Sequence, residues 1–200
     1  MNKILKELKH HVPFTALATA LAVILVFILY MNKINLMHFG SAFDIFHPAH
    51  VFVSAVVTSA IFYKYKKSVL LSLIIGLTGS IVIGSLSDIM LPYLGIIVTN
   101  VKISFHLPLI EEPAVIILTA LIGSFAGTIK KIISKTQLLH FVHVLLSVFA
   151  SLFYILAFAG IISPLLFTAV FAIVFIAVIV PCCISDIIYP LFFINSHQNN

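Results

Sequence analysis

Two histidines three residues apart occur twice in this chain, as His47-Pro-Ala-His50 and His140-Phe-Val-His143. Each pair is followed by a serine–aspartate motif, Ser87-Asp88-Ile-Met-Leu-Pro92 and then Ser185-Asp186-Ile-Ile-Tyr-Pro190. Each is also preceded by a histidine two residues before a proline, His11-Val-Pro13 and His106-Leu-Pro108. In chain order the offsets are 95, 93 and 98 residues, so the order and approximate spacing of all three signals repeat. Histidines at i and i+3 of a helix share one face. Two imidazoles there can converge on one ion, and an aspartate from a neighbouring helix adds hard oxygen and negative charge. Such mixed nitrogen and oxygen donors suit zinc, manganese, iron, cobalt or nickel, without selecting among them. Copper(I) prefers more sulfur. Cys182, one turn before Asp186, is an optional sulfur donor, but its counterpart in the first copy is Gly84.

Glu111 and Glu112 follow His106 closely. Being adjacent, they cannot both face one point, so one binds a cation or proton while the other caps a helix or faces water. The segment Leu107–Pro113 reads as a bent or re-entrant entrance, since Pro113 removes a donor and clashes with a carbonyl one turn back. Pro92 and Pro190 stand four residues after Asp88 and Asp186. They either free the aspartate carbonyl from helical bonding or simply end the helix. His10, His38 and His197 have no counterpart in the other copy.

These groups are set in an oily chain. Of 200 residues, 62% are hydrophobic and 8% charged, against about a quarter charged in soluble domains. The natural solvent is lipid. All eleven basic residues are lysines, which argues against bidentate phosphate or nucleic-acid recognition. Six spans are expected, at roughly 12–30, 46–63, 69–91, 108–128, 138–159 and 163–193, the last broken near Pro181. The first is expected to be retained rather than cleaved as a signal peptide. Nine lysines fall on one side of these spans, and only Lys33 and Lys102 on the other. Both termini are therefore expected in the cytoplasm, of a prokaryotic inner (cytoplasmic) membrane. Residues 1–11 form either an amphipathic surface helix or a disordered basic end.

The expected fold is an all-α polytopic membrane protein, a single transmembrane domain over 1–200. Repeat 1 covers about 11–95 and repeat 2 about 106–193. Three spans per repeat mean that the second enters the membrane upside down, an inverted-topology arrangement common among secondary transporters. Orientation then sorts the candidate metal ligands. His47, His50, Asp88, His106, Glu111 and Glu112 belong to an outer set, and His11, His140, His143 and Asp186 to an inner set. Whether the sets are separate or meet near the midplane is open. Small residues of span three, including Gly76, Gly79 and Gly84, suit close helix packing.

The function these features imply is secondary transport of a divalent metal ion, with protons as a second partner because ligands must deprotonate to bind. The alternative is a membrane-embedded metal-dependent enzyme acting on lipid or another membrane substrate, with the outer set catalytic. The chain has no serine nucleophile elbow and no His-Glu-x-x-His motif. A permease with a histidine proton relay and a purely structural role are further readings. Membrane lipid is the expected surrounding, and a homodimer is compatible with the sequence. Six spans with ligands on the second and fifth resemble the cation diffusion facilitators. That family carries acidic residues four apart and usually a soluble cytoplasmic domain, whereas here histidines stand three apart, so no residue role is carried over.

Overall fold

The computed structural model describes residues 2–32, 37–129, 136–159, 166–183 and 188–195; within these, the side chains of 2–12, 14, 37–38, 136–138, 140, 182–183, 191 and 194–195 lie outside the description. Every regular element among the described residues is helical. Helix α1 runs over Asn2–Met31, α2 over Met37–Lys66 and α3 over Val69–Ser85. A π-helical turn, Leu86–Met90, joins α3 to α4, Leu91–Val98. Then come α5, Pro108–Glu111, and α6, Pro113–Ala126. Helix α7 covers Thr136–Phe158, α8 Leu166–Cys183 and α9 Tyr189–Asn195.

The described parts of the expected apolar segments are largely helical, with shifted ends. Residues 2–11 are helical and continuous with the first apolar segment. Helix α2 begins at Met37 rather than near residue 46. Gly40, Ser41 and Asp44 give that stretch the look of a loop. It is helical because Phe39 and Phe43 turn into the core while Asp44 stays exposed. At the other end of α2, Lys67 adopts φ 48° and Ser68 caps α3, its Oγ accepting from Leu71 N–H at 3.5 Å. This short turn folds α3 back along α2. Pro108 and Pro113 each open a helix, where a missing N–H costs nothing. The chain bends between them at Glu112 (φ −132°, ψ 56°). Helix α8 passes through Pro181 and ends two residues later.

Among the described residues, three helices are long and apolar enough to cross a membrane: Phe39–Lys66, Val69–Val98 (the π turn included) and Phe141–Phe158. Thr15–Met31, Pro113–Ala126 and Leu166–Pro181 are shorter apolar helices. The surface is apolar and the centre polar. Leu21, Ile24 and Ile28 of α1, Leu70 and Val82 of α3, and Ile122 and Phe125 of α6 are exposed. His47, His50, Ser54, Thr58, Ser87, Asp88, Ser147 and Ser151 are buried. Water would reverse this distribution; a lipid surrounding accommodates it.

Helices α2 and α7 form the central pair, with the most extensive contact in the protein. Around them the packing is matched between halves. Helix α6 packs on α2 and α3, as α1 packs on α7 and α8. Helix α3 packs on α2 as α8 does on α7, and α9 touches α2 as α4 touches α7. Glycines bring α6 against α2: a Cβ on Gly123 would strike the Phe52 carbonyl, and one on Gly127 the Val56 carbonyl and Ser59 Oγ. Close backbone approach of this kind is how apolar helices gain dispersion contact in lipid.

Candidate functional site

Asp88 sits on the π turn, and proline explains why the turn is there. Pro92 has no N–H for the Asp88 carbonyl, and its ring would crowd that carbonyl in a regular α-turn. The backbone widens instead, and Leu91 N–H bonds to the Leu86 carbonyl, five residues back. In an α-helix it would have bonded to Ser87 O. The freed Ser87 carbonyl lies 3.0 Å from Ser151 Oγ of α7. Single π turns of this type are frequent at functional sites.

The Asp88 carboxylate is fully occupied by donors. His47 Nδ1 and His50 Nδ1 donate to Oδ2, at 2.8 Å and 2.7 Å. Ser87 Oγ and Ser147 Oγ donate to Oδ1, at 2.7 Å and 2.9 Å. Four donors match the capacity of an ionised carboxylate. All five side chains are completely buried. Gly84 leaves room beside the imidazoles; a Cβ there would lie 3.9 Å from His50 Nδ1 and 4.0 Å from His47 Cε1.

With Nδ1–H given to Asp88, each imidazole keeps a lone pair on Nε2. His47 Nε2 and His50 Nε2 are buried without a hydrogen-bond partner among the described residues. An unsatisfied buried polar atom costs about 1–3 kcal/mol. An ionised Asp88 beside two neutral imidazoles also leaves one net negative charge inside an apolar bundle. A cation held by Nε2 would partner a lone pair and offset the charge; a proton there would offset the charge alone. A carboxylate behind a histidine, with the far nitrogen free, is the usual outer shell of a metal-bound histidine. Asp88 holds both imidazoles through Nδ1, where an oxygen ligand is expected from sequence. Among the described residues, no group of three or more His, Cys, Asp or Glu side chains is arranged to hold a metal ion.

His143, expected with the inner set, lies beside His50 of the outer set. The two rings stack at 4.6 Å between centroids, 18° from parallel, and His143 is fully buried. His50 stands thirteen residues from Met37 and sixteen from Lys66, so it is about 20 Å and 24 Å from the ends of α2. His50 and His143 thus meet near the middle of α2, which starts nine residues earlier than expected and along which α7 packs.

His106 does not join Asp88. Its Nδ1 pairs with Glu111 Oε2 at 2.7 Å, while Glu111 Oε1 accepts from Leu107 N–H at 3.1 Å. This pair is partly exposed. Glu112 is exposed, and its carbonyl accepts from Val115 N–H in the first turn of α6. The side chains of His11 and His140 lie outside the described residues, as does Asp186 altogether. Ser147 and Ser151 were not singled out from sequence, although a signal was present. His50 is followed at four and eight residues by Ser54 and Thr58, and His143 by Ser147 and Ser151. All four hydroxyl residues are buried. The repeated unit is therefore longer than the histidine pair.

No family model, curated protein or solved structure matches this chain.

Proposed function

We propose that this chain is a secondary transporter for a divalent transition-metal ion, built as six membrane spans in two three-span halves of opposite orientation. The observation that carries this reading is the pair of buried, unpartnered Nε2 atoms on His47 and His50, oriented by one carboxylate at mid-helix. Transporters with inverted repeats bind cargo near the midplane, where the repeats meet. Here Asp88 of the first half is held by Ser147 of the second, and His50 lies against His143. The matched packing of α1 with α7 and α8, and of α6 with α2 and α3, supports the two-fold relation. By the sequence repeat, Asp186 takes the place of Asp88 in the second half, with His140 and His143 as its histidines. The lysine bias supports cytoplasmic termini.

Complete burial of His47, His50 and Asp88 suits an ion-sized cargo better than a lipid substrate, and so favours transport over a membrane metalloenzyme. Protons and metal compete for the same Nε2 lone pairs, which supports exchange of one for the other. The test is zinc uptake into proteoliposomes carrying an entrapped zinc dye and a pH dye. Zinc-dependent flux with opposing proton movement is expected, and its loss in His47→Ala plus His50→Ala. Equal flux in the double variant removes the proposal. Cysteines replacing Lys66 and Lys102 should label from opposite sides of the vesicle; same-side labelling removes the inverted topology.

A further inference from the structure

A continuous run of side chains leads from the surface to the buried centre. Glu111 is about half-exposed, at 48%, and His106, paired with it, is 23% exposed. The His106 ring meets Phe43 edge-on at 5.8 Å and 70°. The other contact of Phe43 along this line is His47, stacked at 5.3 Å and 12°. Phe43 is itself completely buried. One aromatic ring thus stands between a partly exposed imidazole–carboxylate pair and the first imidazole of the central site.

The frame around that ring is firm on one side. Tyr154 and Phe158 of α7 contact Phe43 edge-on, at 5.4 Å and 5.8 Å. Phe158 also stacks on His106 at 4.6 Å. Two bonds hold the loop before α5 over the end of α7: Ser104 N–H to the Phe158 carbonyl, 2.9 Å, and His106 N–H to Tyr154 Oη, 3.4 Å. Phe43 hangs from α2 and faces this frame. The Phe43 ring is the group that separates His106 from His47. His106 and Glu111 supply the donor types a divalent transition metal takes, one nitrogen and a carboxylate, and both are partly exposed at the protein surface.

We infer that His106 and Glu111 form a solvent-side loading site for the cation carried by the central histidines, and that Phe43 is the gate between the two stations. The inference rests on the transport reading and adds its entry route. A cation arriving at the pair exchanges the His106–Glu111 bond for metal bonds, loosening the surface on which Phe43 rests. Phe43 then swings, and the cation passes to the Nε2 atoms of His47 and His50.

The test reads imidazole accessibility directly, by diethylpyrocarbonate modification of the reconstituted protein followed by peptide mass spectrometry. In the wild type, His106 reacts, and His47 and His50 react more slowly by about tenfold or more, because a buried group reacts only through transient opening. In Phe43→Ala, His47 and His50 should approach the rate of His106. Phe43→Leu, which keeps most of the volume without the ring, should fall between and guards against a folding defect in the alanine variant. Thermal unfolding of each variant is measured beside the labelling. Unchanged protection of His47 and His50 in folded protein carrying either substitution overturns the gate. For the loading site, zinc should slow His106 modification in the wild type and not in Glu111→Gln, which preserves the acceptor for Leu107 N–H but removes the charge. Equal protection by zinc in both, or none in the wild type, overturns the loading site. Protection measured without metal is independent of cargo. An intact gate with no zinc flux through wild-type protein would count against the transport reading alone.

Discussion

Replacing Asp88 by asparagine should separate the role of the carboxylate's charge from that of its shape. The wild-type group accepts four hydrogen bonds, two from imidazoles and two from serine hydroxyls. Asparagine keeps the size and can meet all four partners in either amide orientation. With its oxygen toward the histidines, the amide nitrogen donates to Ser87 and Ser147, whose hydroxyls then turn elsewhere. With its nitrogen toward the histidines, both rings must accept at Nδ1, which moves their protons onto Nε2 and blocks the nitrogens left for a metal. In both orientations the charge that balances a cation is gone. Outer-shell substitutions behind metal-bound histidines cost about 10–100-fold in affinity, and that loss is expected for zinc here, read by titration of the purified protein. Alanine behaves differently. It strands two N–H and two O–H donors at about 1–3 kcal/mol each, or about 4–12 kcal/mol in all, comparable to the whole stability of a domain. Asp88→Ala should therefore fail to fold, while Asp88→Asn folds and binds weakly. Nitrogen-15 spectra of labelled histidine would report which tautomer the variant holds. Zinc affinity unchanged in folded Asp88→Asn would refute the assignment of Asp88 as the anion that balances the cargo.

Other consequences are equally open to measurement. Ser147→Ala removes the one bond across the halves that ends on the carboxylate, and should lower unfolding stability by about 1–2 kcal/mol and weaken zinc binding; unchanged stability and binding would mean that the contact is incidental. Gly123→Ala forces a methyl group into the Phe52 carbonyl, and should destabilise by about 1–3 kcal/mol as overpacking does, while Gly40→Ala, with no atom near its Cβ position, should not; equal melting temperatures would contradict the α2–α6 packing. Zinc binding should weaken as pH falls, about tenfold per pH unit for each proton displaced, because the metal and the proton take the same lone pair. An affinity that stays constant down to pH values at which the metal-free imidazoles are protonated would exclude Nε2 as the ligand atom.

Much of this arrangement was readable along the chain. The apolar runs marked the helices, and the repeat brought out His47, His50 and Asp88, which the fold joins through hydrogen bonds. Depth was not readable. Gly40, Ser41 and Asp44 argue locally for a loop, yet the helix extends through them because Phe39 and Phe43 gain burial that outweighs the weak propensities. That extension carries the histidines from a helix end to mid-helix. The meeting of His50 with His143 depends on how two halves pack, which a repeat within one chain does not specify. His106 was assigned to the Asp88 group by topology, but Pro108 and the bend at Glu112 turn Glu111 back onto it. Ser147 and Ser151 were readable and overlooked, since a serine four or eight residues after a histidine carries no signal until the same spacing appears in the other half.

The most direct test of the central claim is X-ray absorption at the zinc edge of the zinc-loaded, reconstituted protein. The account predicts imidazole nitrogens at about 2.0–2.1 Å, with the imidazole scattering reduced to at most that of His106 in His47→Ala plus His50→Ala and retained at the central pair in Glu111→Gln. A shell of oxygen atoms alone, or a spectrum that the double substitution leaves unchanged, would contradict it.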